Sequence, residues 1–219
     1  NPDKDLLRRK KMEVYSFPTG PIMVNIYLAF DETGKAFIVD PGGASPSLLA
    51  KIKEEGLTVQ YIVLTHAHGD HIGGIDDLKE IFPDIKIVAP LKEEELLSDG
   101  TLNSSKALYG RAITVNPDIS VEDCDHIKVG NMELIFIETP GHTAGGMCVK
   151  CGNYLFSGDT LFRESIGRTD LYGGSYHQIL RSIKEKLYTL PDETIVLPGH
   201  MEQSTIGHEK KRNPFVRAD

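Results

Sequence analysis

The segment Val59-Gln60-Tyr61-Ile62-Val63-Leu64-Thr65-His66-Ala67-His68-Gly69-Asp70-His71 carries more information than any other part of the chain. Its first half is an apolar run rich in β-branched residues, which predicts a buried strand. Its second half places three imidazoles and one carboxylate within six positions, directly where that strand ends. A lone histidine is more often a surface or core residue than a ligand, but four ligand-type side chains in one strand-end segment fit poorly with packing alone. In extended backbone His66 and His68 share one side, so both can approach one metal ion. Asp70 and His71 fall where the chain turns into the next helix, and they can face a second. Gly69, Gly73 and Gly74 let the backbone turn tightly there.

Working outward, three more ligand-type residues repeat the pattern. His142 follows the apolar run MELIFIE, Asp159 follows NYLFS, and His200 follows TIVL, each beside a glycine. Strand ends are rigid, and rigid elements hold metal ligands to the tolerance a site needs. The remaining signals alternate between strand and helix. MEVYSF, MVNIYLAF, KAFIVD, IKIVAP, HIKVG and MCVKCG read as strands separated by Gly- and Pro-containing turns. SPSLLAKIKEEG reads as a helix with a serine cap, a first-turn proline and a closing glycine. GIDDLKEIF reads as a helix with Leu78 and Ile81 or Phe82 on its inner face, LKEEELL as a short helix, and YHQILRSIKEKLYTL has helical spacing through Ile179, Ile183 and Leu187. STIGHEKKR reads as a last, capped helix. Strands in both halves with helices between them predict an α/β (α+β) sandwich, two sheets inside and helices outside. Residues 98–125 are polar and turn-rich, without clear period; the expectation is an irregular loop forming one wall of a substrate groove.

Bulk properties narrow the function classes. The chain has 219 residues and a formal net charge of −8, which argues against nucleic acid as a partner, since phosphate-backbone binders carry a basic stripe. No run approaches the roughly 18 apolar residues of a membrane span. The first residues, NPDKDLLRRKK, lack the apolar centre of a secretory signal. The expected organisation is therefore an extension over residues 1–11 and a single folded domain over 12–219. Three cysteines form no disulfide framework and suit a reducing cytoplasm. Cys148 and Cys151 make a CxxC, but residues three apart on a strand point to opposite faces, and no second CxxC completes a sulfur site. They read as small apolar fillers.

Taken together, HAHGDH, PGHT, SGDTLF and LPGH resemble the motifs of the metallo-β-lactamase superfamily, and within it the small, single-domain glyoxalase II-like (hydroxyacylglutathione hydrolase-like) enzymes. The likeness spans nearly all of residues 12–215 and extends to ESIGRTDLYGG and the tail PGHMEQSTIGHEKKRNPF. The resemblance implies a four-layer αββα sandwich with its site at one edge of the paired sheets. It implies two divalent cations, zinc first, with iron or manganese compatible with a set of imidazoles and carboxylates that lacks thiolate. His66, His68 and His142 would hold one, Asp70, His71 and His200 the other, and Asp159 would bridge them, with Asp40 of IVDPGG supporting from beneath. The implied reaction is hydrolysis of a small-molecule thioester such as S-D-lactoylglutathione by a metal-activated hydroxide, with Asp70 also orienting the attacking oxygen. A thiolate leaving group needs little help from a general acid.

Several branches fit less well. Many β-lactamases of this fold place Cys where this chain has Asp159. Arg168 is the candidate anion holder, against a plain ion pair with Asp170; Arg163 and Tyr172 are weaker candidates of the same kind. The alternative is an iron persulfide dioxygenase, which would use His66, His142 and Asp159 on a single iron. His126, His177 and His208 read as surface or hydrogen-bonded residues, and Glu209 with Arg212 as a surface pair on the last helix.

Overall fold

The computed structural model describes residues 12–43 and 45–217; the extension expected over 1–11 lies outside them. Two six-stranded sheets stack face to face. The first takes its strands in chain order: β1 (Glu13–Thr19), β2 (Val24–Phe30), β3 (Lys35–Val39), β4 (Thr58–Val63), β5 (Lys86–Pro90) and β6 (Ile119–Val121). The β1–β2 and β2–β3 pairs are antiparallel and the rest parallel. The chain then lays down β7 (His126–Val129), β8 (Met132–Glu138), β9 (Met147–Cys151) and β10 (Tyr154–Gly158), followed by a small hairpin of β11 (Leu161–Phe162) and β12 (Ser165–Ile166). With β13 (Ile195–Pro198) and β14 (Ser204–Thr205) the second sheet is ordered β14-β13-β10-β9-β8-β7. The expected α/β sandwich is the observed architecture.

Alternation along the strands builds the layers. In β2 every residue is buried, because Tyr27 and Ala29 face the other sheet while Ile26 and Leu28 face helices on the outside. Between the sheets, Phe37 and Tyr27 of the first meet Phe156 of the second edge-on, with ring centroids 5.7 and 5.5 Å apart. Helix α1 (Pro46–Glu54) covers the outer face of the first sheet with Leu48 and Ile52, one turn apart on its inner face, and Ser45 caps it by accepting from Leu48 N. A short turn of helix, α2 (Gly69–Ile72), and α3 (Ile75–Ile81) complete that layer. Ile75 and Leu78 form the inner face of α3, and of the two candidates for its last inner position Phe82 packs against the core while Ile81 points to solvent.

Two short helices, α4 (Glu94–Ser98) and α5 (Ser105–Tyr109), follow β5, and α6 (Tyr176–Ser182) covers the second sheet. The helical spacing through Ile179, Ile183 and Leu187 is borne out: Ile179 is buried on α6, and Ile183 and Leu187 on the wider π-type turn over Ile183–Leu187 that continues it. Helix α7 (Ile206–Arg212) begins at a Thr205 cap. The two cysteines of the CxxC do point to opposite faces: Cys148 packs under α6 and Cys151 packs between the sheets, both as free thiols. Among the described residues no helix is long and apolar enough to cross a membrane.

Residues 98–125 are more ordered than their composition predicts. Asn103, fully buried, donates to Leu96 O and Ile113 O and accepts from Ser105 N, so one side chain replaces the backbone pairing the loop lacks. Asn103 O in turn accepts from Gly69 N at 2.7 Å, which braces the start of α2. Gly42 sits on the other side of α2, where a Cβ would run into Asp70 O and the Val24 side chain. Gly42→Ala is expected to cost about 1–3 kcal/mol through overpacking, measured by chemical denaturation; unchanged stability would mean that this contact does not set the position of α2.

Candidate metal centre

All seven ligand-type side chains converge at one edge of the sandwich. Strand β4 ends at Val63, and the segment from Thr65 then runs across the sheet edge before α2 starts. What fixes its course is Asp40, at the end of β3. Its Oδ1 accepts from Thr65 N at 2.8 Å, and its Oδ2 accepts from Thr65 Oγ1 at 2.6 Å and faces His71 Nδ1 at 2.9 Å. Asp40 reaches this position with φ of +50°, a conformation that costs an L-residue energy and persists only where its surroundings enforce it. By holding His71 at Nδ1, Asp40 turns Nε2 toward the site.

From the second sheet, His142 follows β8, Asp159 follows β10 and His200 follows β13. Two groups of donors result, each with its atoms within 4.8 Å of one another: His66, His68 and His142, and Asp70, His71, Asp159 and His200. A third grouping, Asp40 with His66 and His71, lies beneath them. His68 Nδ1 lies 2.9 Å from His142 Nε2, and His200 Nε2 lies 3.0 Å from Asp70 Oδ2. Asp159 stands between the groups, with Oδ1 3.3 Å from His71 Nε2 and Oδ2 3.5 Å from His142 Nε2 and 3.6 Å from His200 Nε2. This is the place a bridging carboxylate would occupy.

The donor set fits divalent cations. His66 Nε2, His68 Nε2, His71 Nε2 and Asp159 Oδ1 are buried and have no hydrogen-bond partner, a cost that native proteins rarely accept without a reason. Burial, followed by the neighbouring His71, His142 and His68, pushes His66 well below its ordinary pKa; burial and His142 push His68 down to about 4. Both are therefore neutral imidazoles with lone pairs free to coordinate. The other end is acid-rich. Burial raises the Asp70 carboxyl, but His71 and the hydrogen bond from His200 override it and hold Asp70 well below the carboxylate range. Burial likewise works against charge on His71, yet Asp70, Asp159 and Asp40 together raise its pKa well above the ordinary value. The site thus gathers negative charge where positive charge is to be held.

The cleft above these donors has a volume of about 590 Å³. Its walls come from Ser104, Ala107 and Leu108 of the 98–125 region, from Phe162, Ser165 and Ile166 of the β11–β12 hairpin, and from Arg168 and Leu171 beyond it. The groove wall expected from residues 98–125 is therefore formed mainly by α5. Arg168 lines the cleft, while its side chain pairs with Asp170 through Nε–Oδ1 at 2.7 Å and Nη2–Oδ2 at 2.8 Å. Its carbonyl oxygen accepts from His142 Nδ1 at 2.8 Å, a second contact that orients a donor ring. Arg163 and Tyr172 are not among the cleft-lining residues: Arg163 pairs with Glu202 at 3.2 Å and Tyr172 donates to Glu95 at 2.9 Å.

Two residues have a larger part than their sequence context suggests. Glu93, fully buried, accepts from Ala67 N at 2.8 Å and from Gly145 N at 2.9 Å, tying the His66–His68 segment to the loop that carries His142. Burial raises its pKa to about 7 against these donors. Glu209 is no surface partner of Arg212. It is fully buried and accepts from Ser204 Oγ, from Glu164 N at 2.9 Å and from Asn213 Nδ2 at 2.9 Å. Because Asn213 Nδ2 also donates to Ser165 O at 3.0 Å, α7 clamps the hairpin that walls the cleft. His208 joins the same clamp through Glu164 at 2.8 Å and does not line the cleft.

Since Asp40 holds His71 without lining the cleft, Asp40→Ala is expected to weaken metal affinity about 10- to 100-fold. Competition of metal-free protein against a chromophoric chelator measures this; unaltered affinity would remove Asp40 from the account.

Known proteins share this fold. The family model described as the metallo-beta-lactamase superfamily matches residues 19–200. The chain is 41% identical over 202 residues to the probable metallo-hydrolase YqgX of Bacillus subtilis (strain 168), covering 91% of this chain and 95% of that protein. It is 31% identical over 217 residues to the hydroxyacylglutathione hydrolase GloC of Haemophilus influenzae, covering 94% and 99%. Among solved structures, the BLEG-1 B3 metallo-beta-lactamase aligns with a TM-score of 0.87 at 40% identity, covering 94% of this chain and 100% of that one. TTHA1623 in a di-iron-bound form aligns at 0.81 and 33%, covering 92% and 100%. ETHE1 from Myxococcus xanthus aligns at 0.77 and 28%, covering 92% and 83%. The chain belongs to the metallo-β-lactamase superfamily.

Proposed function

We propose that the protein hydrolyses acyl thioesters with two divalent cations. His66, His68 and His142 would hold one, Asp70, His71 and His200 the other, and Asp159 would be shared. The observation that carries the choice of leaving group is the composition of the cleft. Beyond the donor residues, the side chains that line it among the described residues include only Ser104, Ser165 and Arg168 as carriers of polar hydrogens, and none of these gives up a proton near neutral pH. An amide nitrogen must be protonated as it leaves, so this cleft serves amides poorly. A thiolate, whose thiol has a pKa of about 8–9, leaves unaided.

Bound cations supply the charge that acidifies a water to near neutrality and polarises a carbonyl. The chain's own residues do the rest. Asp70, kept ionised beside His71 and His200, can accept a hydrogen bond from the attacking water and aim it. Asp40 and the Arg168 carbonyl hold the His71 and His142 rings at their outer nitrogens, so the inner nitrogens stay in place during turnover. Ile166 and Leu171 line the cleft, where they would exclude water from a bound carbonyl.

GloC, named for hydroxyacylglutathione hydrolysis, supports a thioester substrate, and the di-iron-bound form of TTHA1623 supports iron as a candidate cation beside zinc. The persulfide dioxygenase reading needs only His66, His142 and Asp159, which leaves Asp70, His71 and His200 clustered on the same carboxylate without a purpose. Three free thiols, two of them buried, suit a reducing compartment, and we place the protein in the cytoplasm with a small-molecule partner. Metal-loaded protein is expected to release thiol from acyl thioesters, S-D-lactoylglutathione among them, and to consume no oxygen with glutathione persulfide. Asp70→Ala is expected to lower kcat by about 10²-fold or more. Persulfide-dependent oxygen uptake without thioester cleavage would overturn the proposal.

A further inference from the structure

The walls of the cleft are unlike what a charged, peptidic thiol requires. Ile22 enters from the β1–β2 turn, Leu108 from α5, Phe162 and Ile166 from the hairpin, Leu171 from the segment beyond it, and Met201 stands next to His200. These six apolar side chains come from separate parts of the chain and meet over the donor set. Ile22 and Met201 are 49% and 57% exposed, so the apolar surface continues to the mouth; exposed apolar residues gathered at a cleft mark a place for an apolar ligand.

Charge points the same way. Arg168 is the only lysine or arginine lining the cleft among the described residues, and Asp170 already engages it through both oxygens. A substrate carboxylate would have to displace Asp170 and gain nothing in net charge pairing. Arg163 is similarly engaged by Glu202, and the chain as a whole carries −8, which repels anions at long range. Glutathione brings two carboxylates, and the cleft holds no free cation for either.

We infer that the cleft selects its substrate by an apolar acyl group, extended along the wall of Ile22, Leu108, Phe162, Ile166, Leu171 and Met201, and not by a charged thiol carrier. This rests on the thioester reading and specifies its substrate class. The reaction is a balanced hydrolysis: water oxygen bonds to the carbonyl carbon, the C–S bond breaks, and its electron pair leaves with sulfur. The products are a carboxylate, a thiol or thiolate, and the released protons taken up by solvent. Neither oxidant nor reductant is involved.

The test is a ladder of acetyl, butyryl, hexanoyl and octanoyl thioesters, each on N-acetylcysteamine and on glutathione, assayed with metal-loaded protein. Values of kcat/KM are expected to rise about fourfold per buried methylene, the equivalent of about 0.8 kcal/mol. The rise should lie mainly in KM, because the chain is bound alike before and during reaction. Glutathione as carrier should bring no gain over N-acetylcysteamine. The double variant Ile22→Ser, Leu171→Ser should flatten the ladder by about tenfold or more between acetyl and octanoyl. Binding of the matching non-cleavable thioethers, measured by calorimetry, should show the same ladder in Kd. Hydrolysis with a flat ladder, or a preference for glutathione whatever the acyl group, would overturn the inference and leave the thioester reading intact. A ladder in Kd with no hydrolysis of any thioester would overturn the thioester reading, and with it the substrate class inferred from it, leaving only an apolar binding wall.

Discussion

The buried carboxylate of Asp40 is the interaction on which the site depends. It joins the end of β3 to Thr65 at the end of β4 and to the ring of His71. Two parallel strands leave their C-terminal ends side by side, and without a tie the segments beyond them would diverge. With it, the strained Asp40 backbone, the tight approach of Gly42 to α2, and the direction of His71 become one rigid unit. Everything else in the site is placed relative to that unit. Glu93 fastens the His142 loop to it through Ala67 and Gly145. Gly158, with φ of +48°, turns the chain at Asp159 where a side chain would collide with Thr65.

The two sheets make this convergence possible. Each contributes strand ends to the same edge: β3 and β4 from one, β8, β10 and β13 from the other. The aromatic contact of Tyr27 and Phe37 with Phe156 sets how those edges meet. Tyr27 adds a direct polar link, since its hydroxyl donates to Pro198 O at 2.6 Å, two residues before His200. A packing interaction in the core is thereby connected to the position of a ligand-type side chain in the other half of the chain.

Most of the candidate site was legible because its residues carry a local signature. His66, His68, Asp70 and His71 crowd one strand end, and His142, Asp159 and His200 each follow an apolar strand beside a glycine; a strand end before a turn is where a functional group is displayed. The residues that escaped are those whose role is set by tertiary burial. Glu93 lies in LKEEELL, where consecutive glutamates read as a solvated helix face; only the fold shows that one of them is enclosed and pairs two backbone amides. Glu209 lies in GHEKKR for the same reason. Asn103 made 98–125 look irregular, since side-chain substitution for backbone hydrogen bonds leaves no periodic trace. The alternation in MCVKC, by contrast, was sufficient to separate Cys148 from Cys151, because strand geometry alone decides which face each one takes.

The central claim is that seven side chains form two cation sites with Asp159 between them. Elemental analysis of the purified protein, compared with an Asp159→Ala variant of the same chain, tests it most directly. Close to two divalent metal ions per chain are expected, with a clear loss of bound metal when Asp159 is removed. One ion per chain, retained undiminished in the variant, would contradict it.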